Sequence, residues 1–244
     1  MKAMILAAGL GTRLKPMTDH TPKALLQAGP YTLLEFAVLK LASAGFSDLI
    51  VNVHHHADTV IKYLADHRNF GCNISISDER EQLLDTGGGI RKASWFFNDG
   101  NPFLVYNVDI VTNLDLQKLY NHHCESHNLA TLVVRRRKTT RYLLFDEFMK
   151  LKAWENVTTG EKRIVQMTSG SLNPYAFSGI HVISPEIFGL MEAQDRFSII
   201  NTYLRVAATH PVGGYPDESL LWADAGKPDS LTEAGKIAAE IRFL

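Results

Sequence analysis

Four charged residues carry the chemistry that this sequence suggests: Arg13, Lys23, Asp109 and Asp224. The first two follow an apolar run, Lys2 to Leu6, that passes into Ala7-Ala8-Gly9-Leu10-Gly11-Thr12-Arg13-Leu14, with Pro22-Lys23 further on. Small residues and glycines after a strand let backbone N–H groups approach phosphate oxygens without a Cβ in the way, and Arg13 and Lys23 add positive charge to the same pocket. That arrangement suits a nucleoside triphosphate. Asp109 closes the apolar run Phe103 to Tyr106 through Asn107-Val108, and Asp224 lies in Trp222-Ala223-Asp224-Ala225-Gly226. Such a carboxylate pair suits a magnesium ion, which needs only one or two protein carboxylates when substrate phosphates supply other ligands. Their convergence from distant parts of the chain is an expectation.

Other nucleotide motifs fit less well. Gly9-Leu10-Gly11-Thr12-Arg13-Leu14 resembles a dinucleotide fingerprint for two glycines, but its third position is Leu14 and no acidic residue ends the second strand. A Rossmann oxidoreductase is therefore disfavoured. No Gly-x-x-x-x-Gly-Lys-Ser/Thr loop occurs, and Gly235-Lys236 falls in an expected terminal helix. Gly87-Gly88-Gly89 would bring backbone close to a ligand, because three glycines cost ordering entropy without packing gain. His54-His55-His56 reads as a loop at a sheet edge, since consecutive residues on a strand end point to alternating sides and cannot share one ion. His122, His123 and His127 read as surface residues, and Arg135-Arg136-Arg137-Lys138 as a solvated strand end or loop, with an anion site as the alternative.

Ala7 to Leu14 with Thr21-Pro22-Lys23-Ala24-Leu25 resembles the signature of the sugar-1-phosphate nucleotidyltransferases. Asp85-Thr86-Gly87-Gly88-Gly89, Asn107-Val108-Asp109 and Trp222 to Pro228 extend the resemblance over most of the chain. It is strongest to the short N-acetylmuramate α-1-phosphate uridylyltransferase branch, with mannose-1-phosphate guanylyltransferases as relatives. One departure is Val108, where the family usually has glycine. The resemblance implies an enzyme that transfers NMP from an NTP to a sugar 1-phosphate, releasing pyrophosphate, with Mg2+ as cofactor. It implies nucleotide contacts from Ala7, Ala8, Gly9, Gly11, Thr12, Arg13, Lys23, Thr86, Gly87 and Gly88, and sugar contacts from Asn107 and Gly179. Arg13, Lys23, Asp109 and Asp224 become the catalytic residues, the two aspartates as metal ligands. UTP with N-acetylmuramate 1-phosphate is the leading pair, and GTP with mannose 1-phosphate its rival. For a muramate acceptor, the anion alternative for Arg135 to Lys138 becomes a site for the sugar carboxylate. A catalytically inactive nucleotide-binding module and a cytidylyltransferase acting on phosphocholine are the readings from other classes.

The reaction agrees with the residue inventory. A phosphate dianion is already a nucleophile at neutral pH, so no base-activated Ser, Cys or His is required. Two mutually repelling anions must instead be aligned, and charge on the leaving pyrophosphate neutralised.

The elements that must position these groups alternate. Residues 2–7, 49–53 and 73–77 have strand patterns, with helices over 33–44 and 57–66 between them. A helix opened by Gly87 runs to Phe97, and Phe103 to Tyr106 is a further buried strand. This predicts a Rossmann-like three-layer α/β/α fold with a mixed, mostly parallel central sheet and ligands at the carboxyl ends of its strands. From Ala130, short strands near 130–135, 142–145, 150–153 and 163–166 suggest a small antiparallel β lobe inserted into the fold. A strand over 175–183, a short helix at 185–191 capped by Ser184, a helix over 199–208, strands near 212–215 and 220–223, and a helix from Pro228 complete the chain. We expect one domain over 1–244, with a nucleotide-binding half to about 128 and a sugar-binding half from about 129.

At 244 residues and 45% hydrophobic content the chain can bury a substantial core. A net charge of -1 disfavours a general nucleic-acid binder. Cys72 and Cys124 lack metal-ligand spacing, and the apolar start breaks at Gly9, too early for a signal peptide or membrane span. The expectation is a cytoplasmic protein without membrane or nucleic-acid partners, monomeric or homodimeric.

Overall fold

In the computed structural model, residues 1–167 and 170–243 are described; Leu244, the end of the expected single domain, lies outside them. The chain opens with β1 (Lys2–Leu6), β2 (Gln27–Ala28), β3 (Tyr31–Thr32), α1 (Leu33–Ser43), β4 (Asp48–Val53), α2 (Ala57–Asp66) and β5 (Asn73–Asp78). It continues through α3 (Asp85–Lys92), β6 (Phe103–Asn107), β7 (Ile110–Thr112), α4 (Leu116–Ser126), β8 (Ala130–Arg135), β9 (Arg141–Phe145), β10 (Leu151–Asn156) and β11 (Glu161–Ile164). It closes with β12 (Asn173–Ile183), α5 (Ile199–Val206), β13 (Val212–Pro216), β14 (Trp222–Asp224) and α6 (Pro228–Glu240).

Strand alternation builds three layers. Ala3 and Ile5 of β1 enter one buried cluster with Phe36 of α1, Val60 of α2 and Leu231 of α6, while Met4 enters a second with Ile90 of α3 and Tyr203 of α5. Each fully buried Leu, Ile or Phe contributes roughly 1.5–3 kcal/mol relative to exposure, so a central strand apolar on both faces fixes helices to both sides. β1 pairs in parallel with β4 and β6, and β4 with β5, so the ends of β1, β4 and β6 open at one edge. α1 starts at a capping box in which the Thr32 hydroxyl accepts from the Glu35 amide and Glu35 reaches back to the Thr32 amide.

β12 runs antiparallel to β6 and β8, making the ten-stranded sheet mixed, as expected. The antiparallel strands β9, β10 and β11 join that sheet through residues 173–175 of β12. The lobe is therefore an extension of the sheet, and β8, expected within the lobe, lies in the main sheet between β12 and β13. Three local expectations are corrected. The helix expected to reach Phe97 ends at Lys92 and gives way to a 3-10 turn at Ser94–Phe96. Ser184 precedes a 3-10 helix without capping it, because its hydroxyl bonds the Asn128 carbonyl and His123 Nε2. His123 is buried between Ser184 and Thr131 rather than on the surface, and burial lowers its pKa to about 4.

Candidate active site

Two short strands bring the distant carboxylates together. β7 and β14 pair antiparallel with Asp224 opposite Ile110, and the Ala225 amide donates to the Asp109 carbonyl at 2.8 Å. The turn from β6 into β7 is held by the buried Tyr106 hydroxyl, which donates to the Ile110 carbonyl at 2.7 Å. Lys23 Nζ donates to Asp109 Oδ2, and both side chains are only about one-eighth exposed, at 12% and 13%. Asp224 Oδ1 accepts from the Gly226 amide at 2.9 Å. Burial first, and the negative charge of Asp109 second, push the Asp224 carboxyl above its usual range, while Lys23, the Gly226 amide and Arg13 oppose that shift. A Cβ on Gly226 would lie 2.8 Å from both Arg13 Nη2 and Asp224 Oδ1, so glycine here lets Arg13 come close to the carboxylate.

The small-residue loop is held from below. Asn52 Oδ1 accepts from the Ala7 and Ala8 amides at 2.6 and 3.3 Å, and its Nδ2 donates to Glu79 Oε1 at 2.7 Å. Glu79 Oε2 accepts from the Leu84 amide. Burial dominates at Glu79 and raises its pKa against these hydrogen bonds. Gly11 adopts φ +64°, and a Cβ there would lie 2.8 Å from Thr18 Cγ2, so its role is the tight turn. Gly9 has no neighbour within 4 Å of a Cβ position and opens onto a cavity.

That cavity, about 390 Å3, is lined by Ala8, Gly9, Lys23, Asn52, Glu79, Asp85, Thr86, Asn107, Asp109 and Arg196 among others. A neighbouring cleft of about 930 Å3 is lined by Arg13, Arg137, Trp222, Asp224 and Lys227 among others. Asp109 thus faces one space and Asp224 the other. Of the expected nucleotide contacts, Ala8, Gly9, Lys23 and Thr86 share the first cavity, and Arg13 the second. Ala7, Gly11 and Thr12 border neither, although Ala7 is held by Asn52. Asn107 lines the first cavity and packs against Gly179, which has φ +77° at a β12 register shift and whose added Cβ would lie 2.9 Å from Asn107 Nδ2.

Two sequence expectations are revised by the geometry. Gly87 and Gly88 are buried, and their amides donate to the Phe197 carbonyl. A Cβ on Gly87 would run into the Phe197 ring, and one on Gly88 into the Asp195 carbonyl. Their glycine requirement therefore comes from the packing of α3 against 195–197, and it is Thr86, with its hydroxyl accepting from the Ile199 amide, that reaches the cavity. The basic run is not a uniformly solvated end. Arg135 makes an ion pair of 2.7 Å with the buried Asp217 and donates to Ser219, and Arg137 lies over the Trp222 ring at 4.9 Å. Its residues alternate between half-buried and exposed, following the strand period out of β8.

Asn52, Glu79 and Arg196 line the first cavity although the sequence reading did not select them, and Arg137, in the neighbouring cleft, stood in that reading only as one of a basic run. A polar residue inside Leu49-Ile50-Val51-Asn52-Val53 was a usable signal, since a buried amide needs partners. Nothing local marks Arg196, which depends on the docking of α3. Among the described residues no cluster of three or more His, Cys, Asp or Glu side chains could hold a metal. Asp109 and Asp224, set side by side by the β7–β14 ladder, nevertheless supply two carboxylates, a donor set that fits a magnesium ion completed by substrate phosphates.

A nucleotidyl transferase family model matches residues 2–240. The chain is 31% identical to an N-acetylmuramate alpha-1-phosphate uridylyltransferase from Caulobacter vibrioides, over 99% of this chain and 96% of that protein. It is 26% identical to a mannose-1-phosphate guanyltransferase from Yarrowia lipolytica, over 93% of this chain and 61% of that protein. Its fold matches that of HddC from Yersinia pseudotuberculosis in complex with GMP-PN, with a TM-score of 0.75 at 20% identity, over 96% of this chain and 98% of that one. The chain therefore belongs to the nucleotidyl transferase family, among the sugar-1-phosphate nucleotidyltransferases that its signature segments resemble.

Proposed function

We propose that this protein transfers UMP from UTP to N-acetylmuramate 1-phosphate or a similar sugar 1-phosphate, forming a UDP-sugar and pyrophosphate. The observation that carries the chemistry is the cluster of Lys23, Asp109 and Asp224 beside a cavity edged by Gly9 and Thr86. An oxygen of the sugar phosphate attacks the α-phosphorus, and the bond from that phosphorus to the β-phosphate bridging oxygen breaks. Lys23 and Arg13 stabilise charge moving to pyrophosphate, the work for which a lysine point charge and an arginine fork are suited. Asp109 and Asp224 would hold magnesium, which when bound would supply charge neutralisation between the two reacting phosphates. Asn107 and the backbone at Gly179 border the sugar.

Uridylyl transfer ranks first because relatives with that activity match this chain over nearly their whole length, in Caulobacter vibrioides and in Neisseria meningitidis. Guanylyl transfer to mannose 1-phosphate is the second reading, supported by relatives such as that of Yarrowia lipolytica, which extend beyond the matched region. Pyrophosphate release with magnesium, measured for UTP, GTP, CTP, ATP and dTTP against a panel of sugar 1-phosphates and phosphocholine, separates them. UTP with N-acetylmuramate 1-phosphate should give the highest kcat/KM. A higher value for GTP with mannose 1-phosphate would replace the first reading with the second. Silence in every pair, with NTP binding retained, would favour a binding module.

A further inference from the structure

The cleft on the Asp224 side carries more positive charge than the protein itself compensates. Arg13, Arg137, Lys138 and Lys227 line it, against Asp224 and Glu233. None of these four cations has a carboxylate within 4 Å among the described residues, and Glu233 is paired instead with Lys236. Arg137 is the most constrained of them. It is half-buried two residues past the end of β8, its one hydrogen bond among the described residues runs from Nη2 to the Phe177 carbonyl at 3.1 Å, and its buried Nε has no acceptor. Arg135, two residues earlier, shows the contrast: its guanidinium is satisfied by Asp217 and Ser219. Desolvation lowers the Arg137 pKa, with the attraction of Asp224 working against it. A half-buried guanidinium without a counterion is a costly group that an incoming anion would satisfy.

Its surroundings indicate which anion. Arg13 enters the cleft from the small-residue loop, whereas Arg137 enters from β8 and touches the backbone of β12 two residues before Gly179. In-line displacement puts the attacking and leaving oxygens on opposite sides of the phosphorus. With Arg13, on the loop side of the cleft, placed for the leaving pyrophosphate, the opposite wall, where Arg137 meets β12 near the Gly179 backbone that borders the sugar, is left to the incoming reactant. We infer that Arg137 binds an anionic group of the acceptor, making it a specificity-determining residue that selects acceptors by charge on the β8 wall of the cleft.

This inference rests on the proposed nucleotidyl transfer, and kinetics on the full chain tests both separately. Wild type, Arg137→Gln and Arg137→Lys are assayed with UTP and magnesium against N-acetylmuramate 1-phosphate, and with GTP against mannose 1-phosphate. Arg137→Gln should raise acceptor KM about 10-fold or more while NTP KM moves less than about 3-fold, and Arg137→Lys should recover part of the loss. Equal weakening toward both acceptors assigns the contact to the 1-phosphate; weakening toward N-acetylmuramate 1-phosphate alone assigns it to the sugar carboxylate. An unchanged acceptor KM, or an NTP KM that rises as much, overturns the inference and leaves nucleotidyl transfer standing. Absence of turnover in the wild type overturns the reaction reading instead. In that event, calorimetric titration of each protein with N-acetylmuramate 1-phosphate decides the inference, which requires about 10-fold weaker binding by Arg137→Gln. Should Arg137→Gln fail to fold by circular dichroism, Arg137→Lys carries the same comparison.

Discussion

Lys23 and Asp109 occupy the point where a glycine-containing loop meets the end of a buried strand, and the chemistry assigned to them is separable from stability. Each side chain is mostly buried, yet the pair borders an open cavity rather than the core. Asp109→Asn keeps the side-chain volume, and removing a like charge from beside Asp224 offsets part of the cost of taking the Lys23 ion pair away, so its melting temperature should fall by only a few degrees. Its magnesium-dependent turnover should fall about 100-fold or more, as should that of Lys23→Ala, because charge stabilisation in the transition state is lost. Parallel loss of melting temperature and rate in Lys23→Ala would instead mark a structural lysine. The place of these two residues beside the cavity was legible through the signature segments that carry them, since an aspartate at a strand end alone reads first as a turn or cap. Arg137 was not, because its exposure depends on where β8 leaves the sheet and on Trp222, far along the chain.

At the scale of elements, the site depends on two docking events. One is the β7–β14 ladder, which sets Asp224 beside Asp109. The other is α3 against 195–197, which carries Thr86 and Arg196 to the cavity. Gly88→Ala tests the second. A methyl aimed at the Asp195 carbonyl should cost about 1–3 kcal/mol in denaturant unfolding and raise NTP KM as Arg196 moves. An unchanged unfolding midpoint would show that the segment yields without cost. The sequence signalled elements with strong local patterning: α2 was expected over the residues it occupies, and β1, β4 and β5 within one residue at each end. The three-residue strand β7 has too little length for a periodicity, β14 was expected slightly early, near 220–223, and the attachment of β9–β11 to the main sheet is decided by pairing along β12. The glycines of α3 were visible as residues, but their packing partner at 195–197 was not.

At the scale of the whole molecule, buried histidines tie stability to pH. His123 lies between Thr131 and Ser184, and His181 against the Tyr203 hydroxyl; burial pulls their pKa values to about 4 and about 3. Unfolding returns both toward about 6.5, so below that value the unfolded chain binds more protons and stability falls as pH falls. Between pH 7 and pH 5 each histidine should cost about 2 kcal/mol, read as a lower urea midpoint. His123→Gln should flatten part of that slope; an unaltered slope would mean that the imidazole is not buried neutral. No helix among the described residues is long and apolar enough to cross a membrane, and both cysteines are free.

The most direct measurement of the central claim follows phosphorus through the reaction. Wild type and Asp224→Asn are incubated with magnesium, N-acetylmuramate 1-phosphate and UTP labelled at either the α- or the γ-phosphate. The wild type should carry α-label into a UDP-sugar and γ-label into pyrophosphate, and Asp224→Asn should do neither at a comparable rate. Label transfer undiminished in Asp224→Asn would contradict the site, and γ-label appearing as inorganic phosphate without a labelled sugar nucleotide would contradict the reaction.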